Sequence, residues 1–529
     1  MAELQPVLLD GRWQPAHGTA SFRAENPACG EPIGPTFPIS DAADIERAVT
    51  AAAVAATELT TTPPARIAAF LDAYADAIDA HTDELVALAH AETALPATTR
   101  LAGNELPRTS DQLRQAAQAV RDDAWTQPVI DTIRNIRAHY APLGKPAWIM
   151  GPNNFPLAFH AVSGSDFASA IAARNPVIAK AHPSHPATSQ RLAELAFDAV
   201  QATGLPPASV QLLYHFDNAL GLSLAGDRRL GAIAFTGSRA GGLALKAAAD
   251  AAGIPFFAEM SSVNPVFLLP GALAERGDAL AQEFFASCTA GSGQFCTNPG
   301  IVIVPPGAAG DAFVGAATQH FAAAAPGVLF SRQVRDKLVQ AIADLRAAGA
   351  ALLAGGQAID AAGCHVAPTL LGVDAATFLA HAQALQSEAF GPCSLLIRAD
   401  VAQMATIAAC FEGNLTGTLY RANDGRDDAA WQAIASVLRP RVGRMIANKM
   451  PTGVAVSPAM NHGGPFPSTT HPGLTAVGMP AAIRRFAALH CYDNVPDALL
   501  PPALRDRNPG GVARQIDGTW SYADVTTPA

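Results

Sequence analysis

The chain has 529 residues, of which 50% are hydrophobic and 15% are charged, a composition typical of a globular protein and not of a disordered one. The length exceeds what a single core supports and predicts two or three compact units. The net charge of −10, with no basic run in the sequence, argues against nucleic acid and against an anionic membrane as partners.

The cysteines and the N-terminus predict a cytoplasmic protein. Seven cysteines are scattered along the chain, which favours free thiols in a reducing compartment. Residues 1–6 lack the charged and apolar regions of a signal peptide, and no apolar run is long enough to span a membrane. The sequence has neither the CxxC nor the HExxH spacing of a metal site, so no metal is predicted.

The N-terminal part is expected to begin with short strands and to continue as helices. The Asp-Gly pair at 10–11 indicates a hairpin. A helix follows with Ser40 as the expected N-cap, and it is broken by the proline pair at 63–64. Further helices are predicted near residues 67–81, 83–92 and 105–121. Arg108, in the last of them, is by its pattern alone an ordinary solvated charge.

Strands and helices alternate through most of the remaining chain. Residues 129–150 alternate between apolar and polar side chains and predict a β excursion. Residues 157–257 repeat helix and strand, beginning with a helix expected at 157–173, and residues 263–445 continue the theme. Such alternation predicts parallel sheets with right-handed crossovers. The tail after about residue 483 suits an arm that packs on a neighbour.

Three polar segments follow predicted strands. Asn153 and Asn154 lie at a strand end, where the ligand crevice of a doubly wound sheet forms. The loop at 236–242 offers backbone N–H groups at a helix start, which suits a phosphate but equally suits close packing of helix and strand. Glu259 ends an apolar strand. It is either a solvated strand terminus or a buried general base with a raised pKa.

Residues 291–300, GSGQFCTNPG, contain three glycines and a proline and must form an irregular loop that lets a ligand approach the backbone closely. Cys296 in its middle is flanked by polar residues and not by the aliphatic residues that bury an inert thiol. A cysteine acts as a nucleophile as the thiolate, in a polar and partly open site. The alternative is a loop cysteine without a role.

Taken together, these motifs resemble those of the aldehyde dehydrogenases. In chain order they are NNFP at 153–156, Lys180, FTGS at 235–238, Glu259, GQFC at 293–296 and EAFGP at 388–392. Further segments resemble the ketoglutarate-semialdehyde and NADP-linked fatty-aldehyde dehydrogenases, namely KAHP at 180–183, QFCTNPG at 294–300 and HGGPFP at 462–467. The segments IRRF at 483–486 and PDALLPP at 496–502 are most similar to the semialdehyde enzymes.

The resemblance implies an α/β fold of two doubly wound, Rossmann-like domains with a β oligomerisation excursion. Residues 1–128 and 151–257 would form the NAD(P)-binding domain, and residues 258–482 the catalytic domain. Residues 129–150 and 483–529 would be oligomerisation elements, which implies a homodimer or a homotetramer.

The resemblance also implies a mechanism. Cys296 would attack the aldehyde carbon, and the Asn154 amide with the Cys296 backbone N–H would hold the resulting oxyanion. Glu259 would activate the water that releases the acid. A CoA-acylating enzyme and a non-catalytic family member are the alternatives, and the presence of Glu259 as well as Cys296 and Asn154 argues against both.

For the cofactor, the resemblance assigns ten residues and leaves the choice between NAD and NADP open. Lys180 would hold the adenosine ribose, and Pro183 stands where many NAD-linked relatives have a glutamate, so a 2′-phosphate is not repelled. The cofactor residues are Lys180, His182, Ser184, Thr236, Gly237, Ser238, Gly242, Met260, Glu388 and Phe390.

The substrate implied is an aldehyde that carries a carboxylate, most specifically 2,5-dioxopentanoate. Arg108 is the candidate for the carboxylate partner, because guanidinium pairs with carboxylate in a bidentate manner. A fatty or other medium-chain aldehyde is the alternative. Apolar contacts are expected from Phe155, Phe159, Val162 and Phe295. His160 either lines the channel through which the substrate enters or is a structural residue whose hydrogen bonds are satisfied within the protein. The second interpretation is favoured.

Overall fold

The structure is a computed structural model that describes residues 4–357, 359 and 362–526. Its α-helices, α1 to α15 in chain order, are Ala42–Thr61, Pro64–Ala80, Thr82–Thr93, Leu106–Asp122, Ser165–Ala172, Pro186–Thr203, Asn218–Ala225, Arg239–Ala252, Pro270–Thr289, Ala308–Ala323, Arg332–Ala347, Ala375–Ala380, Ala382–Leu385, Val401–Cys410 and Asp428–Leu438. A π-helix spans Ala97–Glu105, and short 3-10 helices span Ala124–Thr126, Pro207–Ser209, Ala290–Gly293, Arg439–Arg441, Ala481–Phe486, Asp497–Leu499 and Pro502–Leu504. Within the described ranges, no helix combines the length and the apolar character needed to cross a membrane.

The strands are short, as expected for sheets covered by helices. In chain order, β1 to β23 are Val7–Leu9, Arg12–Gln14, Ser21–Asn26, Glu31–Pro38, Val129–Asp131, Ile136–Pro142, Ala147–Met150, Val177–Lys180, Val210–Leu213, Ala232–Thr236, Phe256–Glu259, Val266–Leu268, Ile301–Val304, Gly327–Val328, Ala351–Ala354, His365–Val366, Thr369–Asp374, Cys393–Arg398, Asn414–Tyr420, Val442–Ala447, Ala487–Asp493, Arg514–Ile516 and Thr519–Ser521. The hairpin predicted at residues 10–11 joins β1 to β2.

The first sheet has the order β11-β10-β7-β8-β9-β1-β2. It is parallel from β11 to β9 and antiparallel at the β1 and β2 edge. The strand β7 lies in its middle, paired with β10 and with β8, and all four of its residues are buried. The prediction that residues 129–150 belong entirely to the excursion is therefore wrong at β7, which is buried as a central strand of a parallel sheet.

The second sheet has the order β15-β17-β18-β13-β12-β19-β20 and is parallel except at β15. Alternate residues of its strands enter two different hydrophobic clusters. On β13, Ile301 and Ile303 belong to one cluster, whereas Val302 and Val304 belong to the other. Helices cover both faces, which explains why these strands are continuous apolar runs.

The third sheet joins the excursion to the C-terminal tail. Its order is β21-β6-β5-β22-β23, so the tail supplies three of its strands. The 3-10 helix Ala481–Phe486, which precedes β21, packs into the core of the first sheet through Ala482, Ile483 and Phe486. The predicted end of the catalytic domain at residue 482 is therefore placed too late, because this helix already belongs to the first core.

Two further predictions of local structure are wrong. The helix expected at 157–173 exists only as α5, because residues 157–163 form turns. Those turns let the backbone N–H groups of Leu157 and Ala158 bond to Glu105. The N-cap of α1 is Asp41 and not Ser40, since the Asp41 carboxylate accepts from the N–H groups of Ala43 and Asp44.

Candidate active site

The carboxyl ends of several parallel strands face one large cavity, the position at which doubly wound sheets bind ligands. The strand β8 ends at Lys180, β10 at Thr236 and β11 at Glu259. All three residues line a cavity of about 950 Å³ that also reaches Asn154 and Cys296. The cavity therefore brings together residues that are far apart in the sequence.

Nine of the ten predicted cofactor residues line this cavity. They are Lys180, His182, Ser184, Thr236, Gly237, Ser238, Met260, Glu388 and Phe390. Gly242 is not among the lining residues. A Cβ at Gly242 would lie 2.8 Å from the sulfur of Met260. Gly242 therefore allows α8 to pack closely on Met260. For the loop at 236–242 the sequence allowed either a phosphate site or close packing of helix and strand, and Gly242 fits the second.

Burial shifts the pKa values of two groups in the cavity. It lowers the pKa of Lys180 to about 8. It raises the pKa of Glu388 to about 7, although hydrogen bonds from Ser261 and from the Ser262 backbone act against the shift. The two groups therefore titrate close to physiological pH, and a ligand that carries charge will change their protonation.

The loop that carries Cys296 is held by contacts with two other segments. Gly293 has φ of 70°, and a Cβ there would lie 2.2 Å from the carbonyl carbon of Gly391. Only glycine allows the cysteine loop to approach the turn after Glu388 so closely. On the other side, the Asn264 side chain donates to the carbonyls of Cys296 and Asn298, each at 2.9 Å.

Asn154 is tied to the same loop. Its side-chain amide donates to the carbonyl of Gln294 at 3.0 Å, and the residue is buried. This bond places the amide beside the loop that carries Cys296. The Asn154 amide is thus hydrogen-bonded to the loop whose backbone includes Cys296.

Three titratable side chains, of which Glu259 and Cys296 line the cavity, meet at one point. Nε2 of His462 lies 2.9 Å from Oε2 of Glu259 and 3.5 Å from Sγ of Cys296. Burial and the Glu259 carboxylate raise the pKa of Cys296 well above its ordinary value. Burial would also raise the pKa of Glu259, but His462, Cys296 and Arg108 outweigh it, and the pKa is lowered. The thiol and the carboxylate therefore share one buried polar cluster.

His462 was missed as a site residue by sequence reasoning. The HGGPFP segment indicates a family resemblance but does not by itself indicate a site residue. Its histidine lies 166 positions after Cys296 in the sequence. A buried histidine followed by two glycines in a segment without helix or strand gives no periodic signal. Only the fold shows that this segment returns to β11, where Thr469 bridges to Glu259.

A second missed feature is a buried ion pair on the π-helix. Nη1 of Arg100 lies 2.9 Å from Oε2 of Glu105. Arg100 also donates to the carbonyl of Asn154 at 3.0 Å, and Glu105 accepts from the N–H groups of Leu157 and Ala158. The ion pair therefore fixes both ends of the segment 154–158 by hydrogen bonds to its backbone. The helix period alone does not reveal it, because the two residues are five apart on a π-helix.

Arg108 is not a solvated charge. Its Nη1 donates to the carbonyl of Val454 at 3.1 Å, whereas Nε and Nη2 are buried without a partner among the residues that the structure describes. Burial lowers the pKa of Arg108 to about 10, although Glu105 and Cys296 oppose the shift. A buried guanidinium with free N–H groups is poised to pair with an anion.

Aromatic rings surround the two arginines. The Phe155 ring stands edge-on to Phe159 at 5.0 Å and to Phe295 at 5.5 Å between centroids. The Arg108 guanidinium carbon lies 4.6 Å from the Phe159 ring, and that of Arg100 lies 4.2 Å from the Phe155 ring. The predicted aromatic residues and Arg108 therefore form one cluster beside the cysteine loop.

Two nearby residues belong to the framework. Val162 is fully buried in the first core, and its carbonyl accepts from Tyr74, so its side chain contributes to packing in this structure. His160 is buried, with Nε2 at 2.7 Å from the Ser189 hydroxyl and Nδ1 accepting from the Val162 N–H. His160 is therefore the satisfied structural residue that the sequence interpretation favoured.

Comparison with known proteins assigns this fold and site to a family. Residues 13–482 match the aldehyde dehydrogenase family. Since the match covers most of the chain, the protein belongs to the aldehyde dehydrogenase family, and the resemblance seen in the sequence is confirmed.

Two bacterial relatives are similar over nearly their whole length. The chain is 41% identical to alpha-ketoglutaric semialdehyde dehydrogenase 2 of Azospirillum brasilense, covering 98% of this chain and 99% of the relative. It is 36% identical to alpha-ketoglutaric semialdehyde dehydrogenase of Acinetobacter baylyi, covering 92% and 93%.

Solved structures confirm the fold class. Lactaldehyde dehydrogenase from Escherichia coli superimposes with a TM-score of 0.80 at 22% identity, over 93% of this chain and 99% of the other. Aldehyde dehydrogenase C from Pseudomonas syringae, solved as a mutant with NAD⁺ and octanal, gives a TM-score of 0.78 at 22% identity, over 92% and 96%.

We expect Gly293→Ala to displace the cysteine loop from the Glu388 turn, because the new Cβ would overlap Gly391 and because φ is positive. Cofactor binding and turnover should both fall by at least tenfold, on the order expected for misplaced reacting groups, and both are measured by fluorescence titration and steady-state kinetics. The matched control is Gly315→Ala in α10, where nothing lies within 4 Å of the new Cβ. Equal behaviour of the two variants would contradict the close-approach argument.

Proposed function

We propose that this chain oxidises 2,5-dioxopentanoate, the semialdehyde of 2-oxoglutarate, to 2-oxoglutarate with NAD⁺ or NADP⁺ as hydride acceptor. The single observation that carries the proposal is the buried guanidinium of Arg108 beside the cysteine loop, two nitrogens of which have no hydrogen-bond partner in the part of the chain that the structure describes. The two bacterial relatives described above carry the name of this activity, which supports the assignment.

The chemistry begins at Cys296. Its thiol gives up its proton through the cluster of His462, 3.5 Å from the sulfur, and Glu259, 2.9 Å from His462. The proton passes on to solvent, so that Glu259 is again ionised for the later step, and the sulfur attacks the aldehyde carbon. The Asn154 amide and the Cys296 backbone N–H hold the oxyanion of the thiohemiacetal, and each such donor contributes a factor of about 10²–10³. Hydride then leaves that carbon, with the nicotinamide cofactor as its acceptor, and a thioester remains on Cys296.

Hydrolysis of the thioester depends on Glu259. With its pKa lowered, the carboxylate is ionised at neutral pH and can take a proton from water. Retention of this base supports release of a free acid over transfer of the acyl group to CoA. The presence of the nucleophile, the base and the amide also argues against a non-catalytic family member.

The cavity from Lys180 to Phe390 would hold the cofactor. Lys180 would hold the adenosine ribose, Ser238 at the start of α8 would bind the pyrophosphate, and Glu388 would bind the nicotinamide ribose. Ser238 caps α8 by accepting from the Gly241 N–H, and a helix start favours a phosphate group. Since Pro183 lines the cavity without a charge, a 2′-phosphate is tolerated and both cofactors are accepted.

The substrate carboxylate pairs with Arg108 while the aldehyde group reaches Cys296. The rings of Phe155, Phe159 and Phe295 exclude water from the carbon chain of the substrate, between its carboxylate and its aldehyde group. Exclusion of water strengthens the ion pair between the carboxylate and Arg108. A medium-chain alkanal would use the same rings but would leave the guanidinium without a partner. That difference separates the two candidate substrates.

The decisive experiment is steady-state reduction of NAD⁺ and NADP⁺ with 2,5-dioxopentanoate, succinic semialdehyde and a medium-chain alkanal, in wild type and Arg108→Met. We expect wild type to prefer 2,5-dioxopentanoate. The variant should raise KM for this substrate at least tenfold, because loss of one partner of a buried charge pair costs about 2–5 kcal/mol. KM for the alkanal should change little.

The matched control is Arg114→Met on the same helix, where the guanidinium is partly exposed and pairs with Asp76 and Asp79. It should leave both KM values unchanged. An equal response of both substrates to Arg108→Met would make Arg108 structural. A wild-type preference for the alkanal would contradict the semialdehyde assignment while leaving the dehydrogenase chemistry intact.

The pKa of Lys180 predicts how cofactor choice depends on pH. Burial lowers this pKa to about 8, so the ammonium is present below that pH and is lost above it. A 2′-phosphate needs the positive charge, whereas ribose hydroxyls also bond to a neutral amine. We therefore expect the ratio of KM for NADP⁺ to KM for NAD⁺ to rise between about pH 7 and about pH 9. A constant ratio would contradict the assignment of Lys180.

We further propose that the chain acts in the cytoplasm and as a homo-oligomer. All seven cysteines are free thiols, which supports a reducing compartment. The third sheet presents β21 as an edge strand. Leu489 on β21 is 63% exposed, and Ile133, in the turn between β5 and β6, is 83% exposed. An edge strand with exposed apolar side chains favours pairing with another chain.

Leu489→Glu is expected to shift the protein to a smaller species, because a carboxylate on the edge strand cannot be buried in an interface. Light scattering coupled to gel filtration measures the mass. Val339→Glu on α11, where the side chain is 55% exposed, is the matched control and should keep the wild-type mass. If the Leu489 variant also keeps it, the interface does not lie at β21.

A further inference from the structure

The three side chains that meet at the catalytic thiol have the composition of a metal-ligand set. Sγ of Cys296, a carboxylate oxygen of Glu259 and a ring nitrogen of His462 all lie within 4.8 Å of one another. Sulfur, nitrogen and oxygen donors in this combination are the ones that bind zinc-class cations. The three ligands come from segments far apart in the sequence, so no metal-binding spacing motif predicts them.

The distances suit a small cation after a modest adjustment. Tetrahedral zinc with bond lengths of about 2.3 Å to sulfur and about 2.1 Å to nitrogen and oxygen places sulfur and nitrogen about 3.6 Å apart and nitrogen and oxygen about 3.4 Å apart. Here Sγ of Cys296 and Nε2 of His462 are 3.5 Å apart. Nε2 and Oε2 of Glu259 are 2.9 Å apart, so the carboxylate must withdraw by about 0.5 Å, which a glutamate side chain can do by rotation.

The charges also suit a divalent cation. Binding releases the thiol proton of Cys296 and any proton held between His462 and Glu259 to solvent, and leaves a thiolate, a carboxylate and a neutral imidazole. The two negative charges balance the dication, so the metal with its three protein ligands is neutral, which favours holding the ion out of water. His462 and Glu259 are 3% and 6% exposed, and Glu259 and Cys296 line the cofactor cavity, which is the entry path.

We propose that Cys296, Glu259 and His462 form an inhibitory binding site for zinc-class divalent cations within the active site. Water is the fourth ligand, because three protein ligands leave one tetrahedral position open. The cation occupies the nucleophile and the base together, so bound metal stops aldehyde oxidation until a chelator removes it. The ring of Phe159, 5.6 Å from that of His462, closes one side of the site.

The inference is independent of the substrate assigned above, because metal binding is measured without turnover. The probe is Co²⁺, which forms a visible spectrum in tetrahedral sites and a near-ultraviolet band when a thiolate is a ligand. The protein is the full chain with Cys29, Cys410 and Cys491, its exposed or half-buried thiols other than Cys296, changed to Ser. A non-thiol reductant keeps Cys296 reduced.

We expect one Co²⁺ per chain with a thiolate band, displaced by Zn²⁺. Cys296→Ser should abolish the band. His462→Gln should weaken Zn²⁺ binding at least about 100-fold, since loss of even an outer-shell partner costs about 10–100-fold, and Glu259→Gln should weaken it as well. An unchanged circular-dichroism spectrum and an unchanged thermal unfolding midpoint in each variant show that the fold is intact.

The proposal is overturned if Co²⁺ gives no thiolate band, if the band persists in Cys296→Ser, or if His462→Gln binds Zn²⁺ as tightly as wild type. In the wild-type enzyme, submicromolar Zn²⁺ should abolish dehydrogenase activity, and a chelator should restore it. Inhibition that a chelator does not reverse would also contradict the proposal. Absence of any dehydrogenase activity would remove this last readout and leave the spectroscopic test in force.

Discussion

The irregular loop that carries Cys296 can exist in a buried site only because other segments satisfy its backbone. Asn264 binds the carbonyls of Cys296 and Asn298, and Asn154 binds that of Gln294. Close contact with the Glu388 turn at Gly293 fixes the other side. Because these partners come from both sheets, the two halves of the chain must pack correctly before the nucleophile is in place.

The site also depends on charges that are buried but not all paired. Arg100 pairs with Glu105 and thereby holds the backbone around Asn154, so this cation serves the framework. Two nitrogens of Arg108 have no hydrogen-bond partner among the described residues, and burial lowers the pKa of Lys180. Burying a cation without a counter-charge costs stability. Under the function proposed above, the substrate and the cofactor supply partners for these two cations.

Much of the fold was readable from the sequence where a pattern repeats. Continuous apolar strands such as Ile301–Val304 are predicted because both faces of a parallel sheet are covered. The sequence predicts the strand Ala147–Met150 but not the sheet to which it belongs, because a short apolar strand carries no information on its neighbouring strands. The apolar residues of 157–163 match a helical period, so the sequence predicts a helix there. In the structure the segment forms turns, because its backbone bonds to Glu105.

The sequence by itself determined the elements, the family and the residue types of the chemistry, because glycine loops, apolar runs and ordered motifs are local properties of the chain. Only the tertiary structure decided that His462 meets Cys296 and Glu259, that Arg108 is buried, and that Val162 and Gly242 serve packing. These outcomes depend on contacts between segments up to hundreds of residues apart. No local pattern records such distances, because they are set by how sheets and loops pack.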